Sequence, residues 1–286
     1  MKLASIVVAG TPSVGISDSE GSIIDIRDID PSLPTDMQAL VELGPAALES
    51  INVRRAGLSK HQETEIQFLP VLPRPHAVWC AALNYPAHIT EGSWETPTRP
   101  PFFLRVAESL CGHRQPMIQP RVSDRFDYEG ELAVVIGTRA RHVPTDAAWD
   151  VIAGYSSFND GSVRDWQRHT TQITAGKNFA ATGSFGPWLT TRDEVPDITD
   201  RRLTTRLNGK VMQRTLISEM IFDIPYLINY LSTICDLEPG DVIVTGTPGG
   251  VGTRQNPPVF LGPGDEIEVE VDGVGTLSNP VVREEL

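Results

Sequence analysis

Apolar residues in this chain come in short runs broken by glycine, proline, asparagine and aspartate, a pattern that predicts more strand than helix. Residues 3–26 read as short strands with a turn at Asp18-Ser19-Glu20-Gly21, and Thr35 to Ser50, after Pro34, reads as a modest helix. A proline-rich passage follows (Pro70, Pro73, Pro75), of the kind that joins domains. Strand-like runs then dominate: Val78–Leu83, Pro101–Val106, Tyr128–Ile136, Val151–Ser156 and Phe185–Thr191. Leu203–Leu207 and Val211–Thr215 flank Asn208-Gly209, a hairpin signal because both turn residues tolerate positive φ. Met220 to Cys235 carries Ile221, Ile224, Leu227, Ile228 and Leu231 at helical spacing, and Pro225 inside it predicts a kink or a late start. Asp241–Gly246 is a strand entering a glycine-rich turn, and Glu266–Val271 with Gly275–Val282 form a closing hairpin about Asp272-Gly273. With no regular βαβ alternation, the pattern predicts an α+β, mainly β fold, divided into a small N-terminal domain (1–72) and a larger one (73–286).

Composition narrows the function classes. The chain has 286 residues, 40% of them hydrophobic, enough for a sizeable core. Its formal net charge of −13 argues against nucleic acid and anionic membrane surfaces as partners. The three cysteines, Cys80, Cys111 and Cys235, are far apart, which argues against a disulfide framework or a thiolate zinc site. Met1 to Val8 looks like a first strand rather than a signal peptide, and no stretch approaches the ~18 apolar residues of a membrane span. A cytoplasmic location is the expectation.

Candidate chemistry centres on Phe126 to Gly137, where Glu129 and Glu131 stand two apart in an apolar strand. Side chains at that spacing share a face. Two carboxylates so close repel unless a cation lies between them, and all-oxygen ligands suit Mg2+ or Mn2+. The same pattern fits an edge strand with two solvated acids. Asp160, in Phe158-Asn159-Asp160-Gly161, is placed to add a third carboxylate, although Asn-Asp-Gly is also a common turn. Asp127 shares the face of Glu129 and Glu131 and is a candidate supporting partner. His88 and Glu91 would face each other at i and i+3 of a helical turn, the arrangement of a general base oriented by a carboxylate; an idle surface pair has the same spacing. Lys177, between Gly176 and apolar neighbours, suits either a surface turn or neutralisation of a substrate carboxylate or oxyanion. Thr245 to Gly252 lets backbone approach a ligand but has neither nucleotide-binding glycine pattern.

Taken in order, these stretches resemble the fumarylacetoacetate hydrolase family over roughly residues 76–282. The matching segments are Asn84-Tyr85-x-x-His88-x-x-Glu91, Phe102-Phe103-Leu104-Arg105, Asp127-Tyr128-Glu129-x-Glu131-Leu132, Asn159-Asp160 with Arg164-Asp165-Trp166-Gln167, Gly176-Lys177-x-Phe179, Gly186-Pro187-Trp188, Leu207-Asn208-Gly209, and Leu237 to Ile243 leading into Thr245-Gly246-Thr247-Pro248. The resemblance implies a large mixed-β C-terminal domain, a small N-terminal domain and a homodimer. It implies that Glu129, Glu131 and Asp160 hold the metal and that His88 and Glu91 form the hydrolytic dyad on a lid. Lys177 enters as a catalytic residue, and Tyr85, Arg105, Arg164, Gln167 and Thr247 as substrate contacts. Arg105 stands where many members have Lys, and Ala180 to Ser184 replaces the usual Asp-Thr-rich stretch, which leaves substrate identity open.

The implied reaction is hydrolytic carbon–carbon cleavage of an acylpyruvate, such as maleylpyruvate or fumarylpyruvate, in aromatic-compound catabolism. His88 would deprotonate water, pyruvate would leave as its enolate, and Arg164 or Arg105 would engage a distal carboxylate. Oxaloacetate decarboxylation and 2-hydroxyhepta-2,4-diene-1,7-dioate isomerisation are alternatives built on the same metal-enolate chemistry. A non-catalytic binding protein of the same fold is the alternative of another class.

Overall fold

The computed structural model describes residues 1–17, 21–44, 48, 51, 58 and 60–285. Among them, eleven strands form one sheet, whose central order is Ile23–Asp25, Thr11–Ser17, Lys2–Val8, Gly183–Thr191, Ile152–Asn159, Gly130–Ile136, Val242–Val244, Val78–Ala81, Phe102–Arg105. A second sheet has five strands: Lys210–Leu216, Arg202–Leu207, Glu266–Val271, Gly275–Arg283 and Met117–Gln119. Pairing is mostly antiparallel, with parallel contacts between Val242–Val244 and Val78–Ala81, between Gly275–Arg283 and Met117–Gln119, and between Gly183–Thr191 and Leu110–Cys111. The fold is thus mainly β with mixed sheets. The first strand pairs antiparallel with Gly183–Thr191, Leu3 opposite Leu189, so one sheet runs through both sides of the Pro70–Pro75 passage.

Gly130–Ile136 shows why the sheet is stable. Every residue in it is buried. Leu132, Val134 and Ile136 enter one apolar core with Leu227, Ile228 and Leu231, while Ala133 and Val135 enter a second core with Leu3 and Leu40 on the opposite face. A strand covered on both sides needs apolar residues at consecutive positions, as found here.

The predicted elements form with shifted ends. The run around Glu129 is two strands rather than one: Phe126–Asp127 pairs with Ser162–Val163 in a separate two-stranded sheet, and pairing in the large sheet starts at Gly130. The C-terminal helix starts late, at Ile224. Asp223 caps it by accepting the Tyr226 N–H, and Pro225 falls in the first turn, where no intrahelical donor is lost. The early helix is Met37–Glu42 and stops before Gly44, whose φ is +79°. The rest of that expectation (45–47, 49–50) and Asp18 to Glu20 of the first turn lie outside the described residues. Asn208 and Gly209 take φ of +50° and +77° between their paired strands.

Candidate active site

The antiparallel pairing of Gly130–Ile136 with Ile152–Asn159 brings the three candidate carboxylates together. Gly130 lies opposite Asn159, and one step outward the Asp160 N–H donates to the Glu129 carbonyl at 2.8 Å. The Asn159 side chain closes this end of the ladder by accepting the Glu129 N–H at 3.0 Å. Glu129, Glu131 and Asp160 each present an oxygen within 4.8 Å of the others, and all three are buried.

Three cations sit among them. Lys177, 1% exposed, ends the short helix Thr174–Lys177 and places Nζ 2.6 Å from Glu129 and 2.5 Å from Asp160. Arg105 reaches the other Asp160 oxygen at 2.5 Å and also donates to the Gly161 carbonyl, Ser109 and Thr182. Arg164 joins Glu129 at 2.7 Å and Asp127 at 2.7 Å. Asp127 is the supporting group: it also accepts the N–H groups of Gly252 and Thr253, so it fixes both Arg164 and the glycine-rich turn.

Four buried carboxylates (Asp127, Glu129, Glu131, Asp160) thus face three cations (Arg105, Arg164, Lys177), and the unbalanced charge falls on Glu131. Glu131 forms no ion pair among the described residues; it accepts the Gly246 N–H at 2.5 Å. Gly246 adopts φ +101°, and a Cβ there would come 2.7 Å from the Asn84 Cβ, so glycine alone lets this amide approach. Burial together with Asp160 and Glu129 pushes the Glu131 carboxyl well above its ordinary range. Burial also opposes ionisation of Glu129, but Arg164 and Lys177 outweigh it and hold that carboxyl below its ordinary range. A convergent set of oxygen donors with one uncompensated negative charge fits a hard divalent cation.

The dyad forms as its spacing predicts. His88 and Glu91 lie on the helix Pro86–Gly92 with Nδ1 2.7 Å from the Glu91 carboxylate, whose second oxygen accepts the Gly250 N–H at 2.7 Å. A carboxylate only accepts, so Nδ1 carries the proton and the lone pair is on Nε2, which has no hydrogen-bond partner among the described residues.

A cavity of about 340 Å³ unites these groups; His88, Lys177, Arg164, Gln167 and Thr247 line it with the three carboxylates. Thr247 is fixed by donating to the Gly130 carbonyl and accepting from Gln213. Arg164 Nη2 is buried without a hydrogen-bond partner among the described residues. Tyr85 and Arg105 stand behind the wall: Tyr85 is the residue before the dyad helix, its hydroxyl buried and unpartnered among the described residues, and the Arg105 guanidinium is taken up by the contacts above. The structure adds cavity residues that the sequence reading passed over, notably Trp94, Arg168 and Arg254. The Gly92-Ser93 stop before Trp94 and the glycine-rich turn before Arg254 are the signals that could have found them.

Buried convergent carboxylates beside an oriented imidazole, within one cavity of a mainly β fold, suit acid–base and metal-assisted chemistry. The chain belongs to the fumarylacetoacetate hydrolase family: residues 77–282 match the fumarylacetoacetate (FAA) hydrolase C-terminal domain. It is 38% identical over 277 residues to the oxaloacetate tautomerase FAHD2A, mitochondrial, of Bos taurus, covering 95% of this chain and 88% of the relative. Among solved structures, it resembles the maleylpyruvate hydrolase of Sphingobium sp. SYK-6 in complex with manganese(II) and pyruvate, with a TM-score of 0.83, 27% identity and all of both chains covered. It also resembles the 5-carboxymethyl-2-hydroxymuconate delta-isomerase of Mycobacterium smegmatis, with a TM-score of 0.80, 30% identity and 99% and 100% of the two chains covered. No helix among the described residues is long and apolar enough to cross a membrane.

Proposed function

We propose that this protein is a divalent-cation-dependent enzyme that interconverts the enol and keto forms of a 2-oxo dicarboxylic acid, with oxaloacetate the first substrate to test. The observation that carries this reading is the oriented His88 imidazole sharing one cavity with three buried carboxylates. The likeness over 95% of the chain to a relative named oxaloacetate tautomerase supports it. It replaces hydrolysis as the leading reading because the dyad that favoured hydrolysis serves enolisation equally well.

Mg2+ or Mn2+ held by Glu129, Glu131 and Asp160 would supply Lewis-acid stabilisation of the charge that develops on the 2-oxo oxygen. His88 is the proton carrier: Nε2 takes the proton from the enol hydroxyl or from C3 and returns it at the other position, so one O–H bond is exchanged for one C–H bond. Glu91 keeps Nδ1 protonated and stabilises the imidazolium that forms. Lys177 bridges Glu129 and Asp160 and adds positive charge beside the developing oxyanion. Arg164 Nη2 and the Gln167 amide remain to bind substrate, and Thr247 contacts it from the opposite loop. Arg105 acts on Asp160 rather than on a distal carboxylate, and Tyr85 positions the dyad helix.

Hydrolysis of an acylpyruvate is the second reading, favoured by the likeness to a maleylpyruvate hydrolase over the whole chain. There His88 would deprotonate a water that attacks the C4 carbonyl, and pyruvate would leave as its enolate. The test strips the protein of metal, restores Mg2+ or Mn2+, and follows enol decay of oxaloacetate alongside pyruvate release from maleylpyruvate, fumarylpyruvate and acetylpyruvate. Metal-dependent enol decay that is lost in Glu131→Gln establishes the tautomerase. Pyruvate release from an acylpyruvate with no effect on the oxaloacetate enol makes it a hydrolase. Absence of turnover on all of them, with metal bound, points to the isomerase or to a binding protein.

A further inference from the structure

The cavity has a second charged end. Its inner end is the carboxylate cluster, where each cation is ion-paired. Its outer end carries Arg168 and Arg254, exposed guanidiniums whose side chains form no ion pair or hydrogen bond among the described residues. In a chain of net charge −13, two such arginines lining one cavity form a local field that favours an anion.

Of the two, Arg254 has the built position. Its backbone lies in the turn Gly252–Arg254, which Asp127 anchors through the Gly252 and Thr253 N–H groups at 2.8 and 2.9 Å. Its guanidinium carbon lies 5.0 Å from the centroid of the Trp94 ring, within cation–π range. Trp94 also lies against His88, at 5.1 Å between ring centroids. Trp94 stays over the dyad although it is 41% exposed, because the dyad helix ends in a reversal: Ser93 takes φ +54° and the Trp94 N–H returns to the Ile89 carbonyl at 3.2 Å. Gly92 makes room for the indole, since a Cβ there would lie 2.1 Å from the ring. The cation–π contact positions the guanidinium, and its N–H groups have no hydrogen-bond partner among the described residues; a guanidinium fork takes a carboxylate through two parallel hydrogen bonds.

We propose that Arg254, carried on Trp94, is the specificity-determining residue that receives the second carboxylate of the substrate. This rests on the reading of the inner site as a 2-oxo acid site: one end of the ligand goes to the carboxylate cluster and its cation, and the other to Arg254. Acids with an uncharged distal end lose this contact and are discriminated against.

The test is calorimetric binding to the Mg2+-loaded protein, which needs no turnover. The probes are 2-oxoglutarate and 2-oxoadipate, each with a distal carboxylate, and 2-oxopentanoate, which has none. We expect the better diacid to bind about tenfold more tightly than 2-oxopentanoate. Arg254→Gln should close that gap to about twofold or less while 2-oxopentanoate affinity stays unchanged, and Arg254→Lys should retain part of it. No preference for either diacid in the unaltered protein, or a preference that survives Arg254→Gln, overturns the assignment, as does a gap that closes only in Arg168→Gln. A diacid preference lost in Arg254→Gln, without oxaloacetate turnover, upholds Arg254 and defeats the tautomerase reading. Turnover without the preference does the reverse.

Discussion

His88 and His113 are equally hidden, at 6% and 7% exposed, yet their surroundings prepare them for opposite behaviour. The Nδ1 of His88 faces the Glu91 carboxylate at 2.7 Å, so it donates there and the lone pair stays on Nε2. The Nδ1 of His113 accepts the Ser278 N–H at 3.0 Å, and the ring packs edge-on against Phe68 with centroids 4.9 Å apart. Burial, reinforced by the charge of Arg114, pushes the His113 imidazole down to about 4. Burial alone therefore makes neither histidine a base. The partner on Nδ1 decides which nitrogen keeps its lone pair and whether the ring tolerates charge.

The sharpest way to break this comparison is to exchange the loss. His88→Ala should lower kcat by about 10²–10⁴-fold, the usual contribution of a positioned acid–base group, with Mn2+ affinity unchanged. His113→Asn, which keeps an acceptor near the Nδ1 position, should leave kcat within about twofold, because His113 is not among the residues lining the cavity that holds His88. Equal losses in steady-state assays of the two variants would mean that the dyad has no special role.

The same rule of partners governs the carboxylates. Arg105→Met leaves one oxygen of the buried Asp160 without its cation, and stripping a buried charge of a partner costs about 3–5 kcal/mol. Urea unfolding should show that loss, and added Mn2+ should restore part of it by placing a cation beside the same carboxylate. A smaller change is expected in Glu91→Gln, where the amide oxygen still accepts from Nδ1 but the negative charge that stabilises the imidazolium is gone. There kcat should fall about 10–10²-fold with little change in KM. A fall confined to KM would assign Glu91 to substrate binding instead.

The two histidines also show which parts of the site were legible in the sequence. His88 was, because its partner lies three residues on and a helical turn was enough to place it. Glu129 and Glu131 were legible from their spacing, although the chain leaves the two-stranded sheet at Tyr128 before it enters the large one at Gly130. The strand-rich fold and both hairpins followed from short apolar runs and turn residues, whereas the start of the helix Ile224–Ile234 depended on Asp223 as a cap. His113 was invisible because its environment comes from Phe68 and Ser278, distant in the chain on either side. Lys177 read equally well as a surface residue for the same reason: its partners, Glu129 and Asp160, arrive through sheet pairing that no local pattern records. The Asp160 contact of Arg105 was not legible either, because a positive charge near a site says nothing about which anion it meets.

The smallest effect concerns pH. A histidine held at about 4 in the folded protein, against an unfolded value near 6.5, binds its proton more readily when unfolded. Acidification therefore favours unfolding. The stability that comes from keeping His113 neutral is complete above pH 6.5, declines as pH falls, and is lost once pH passes the folded value. By linkage the decline between pH 7 and pH 5 is about 2 kcal/mol. Carboxylates titrate near the lower end of that interval, so the measurement is a difference: urea unfolding of the unaltered protein and of His113→Asn at several pH values. His113→Asn should lose about 2 kcal/mol less than the unaltered protein over the interval, whatever its stability at pH 7. Parallel curves would mean that His113 takes up its proton without opposition in the folded state, and the contrast with His88 would then rest on geometry alone.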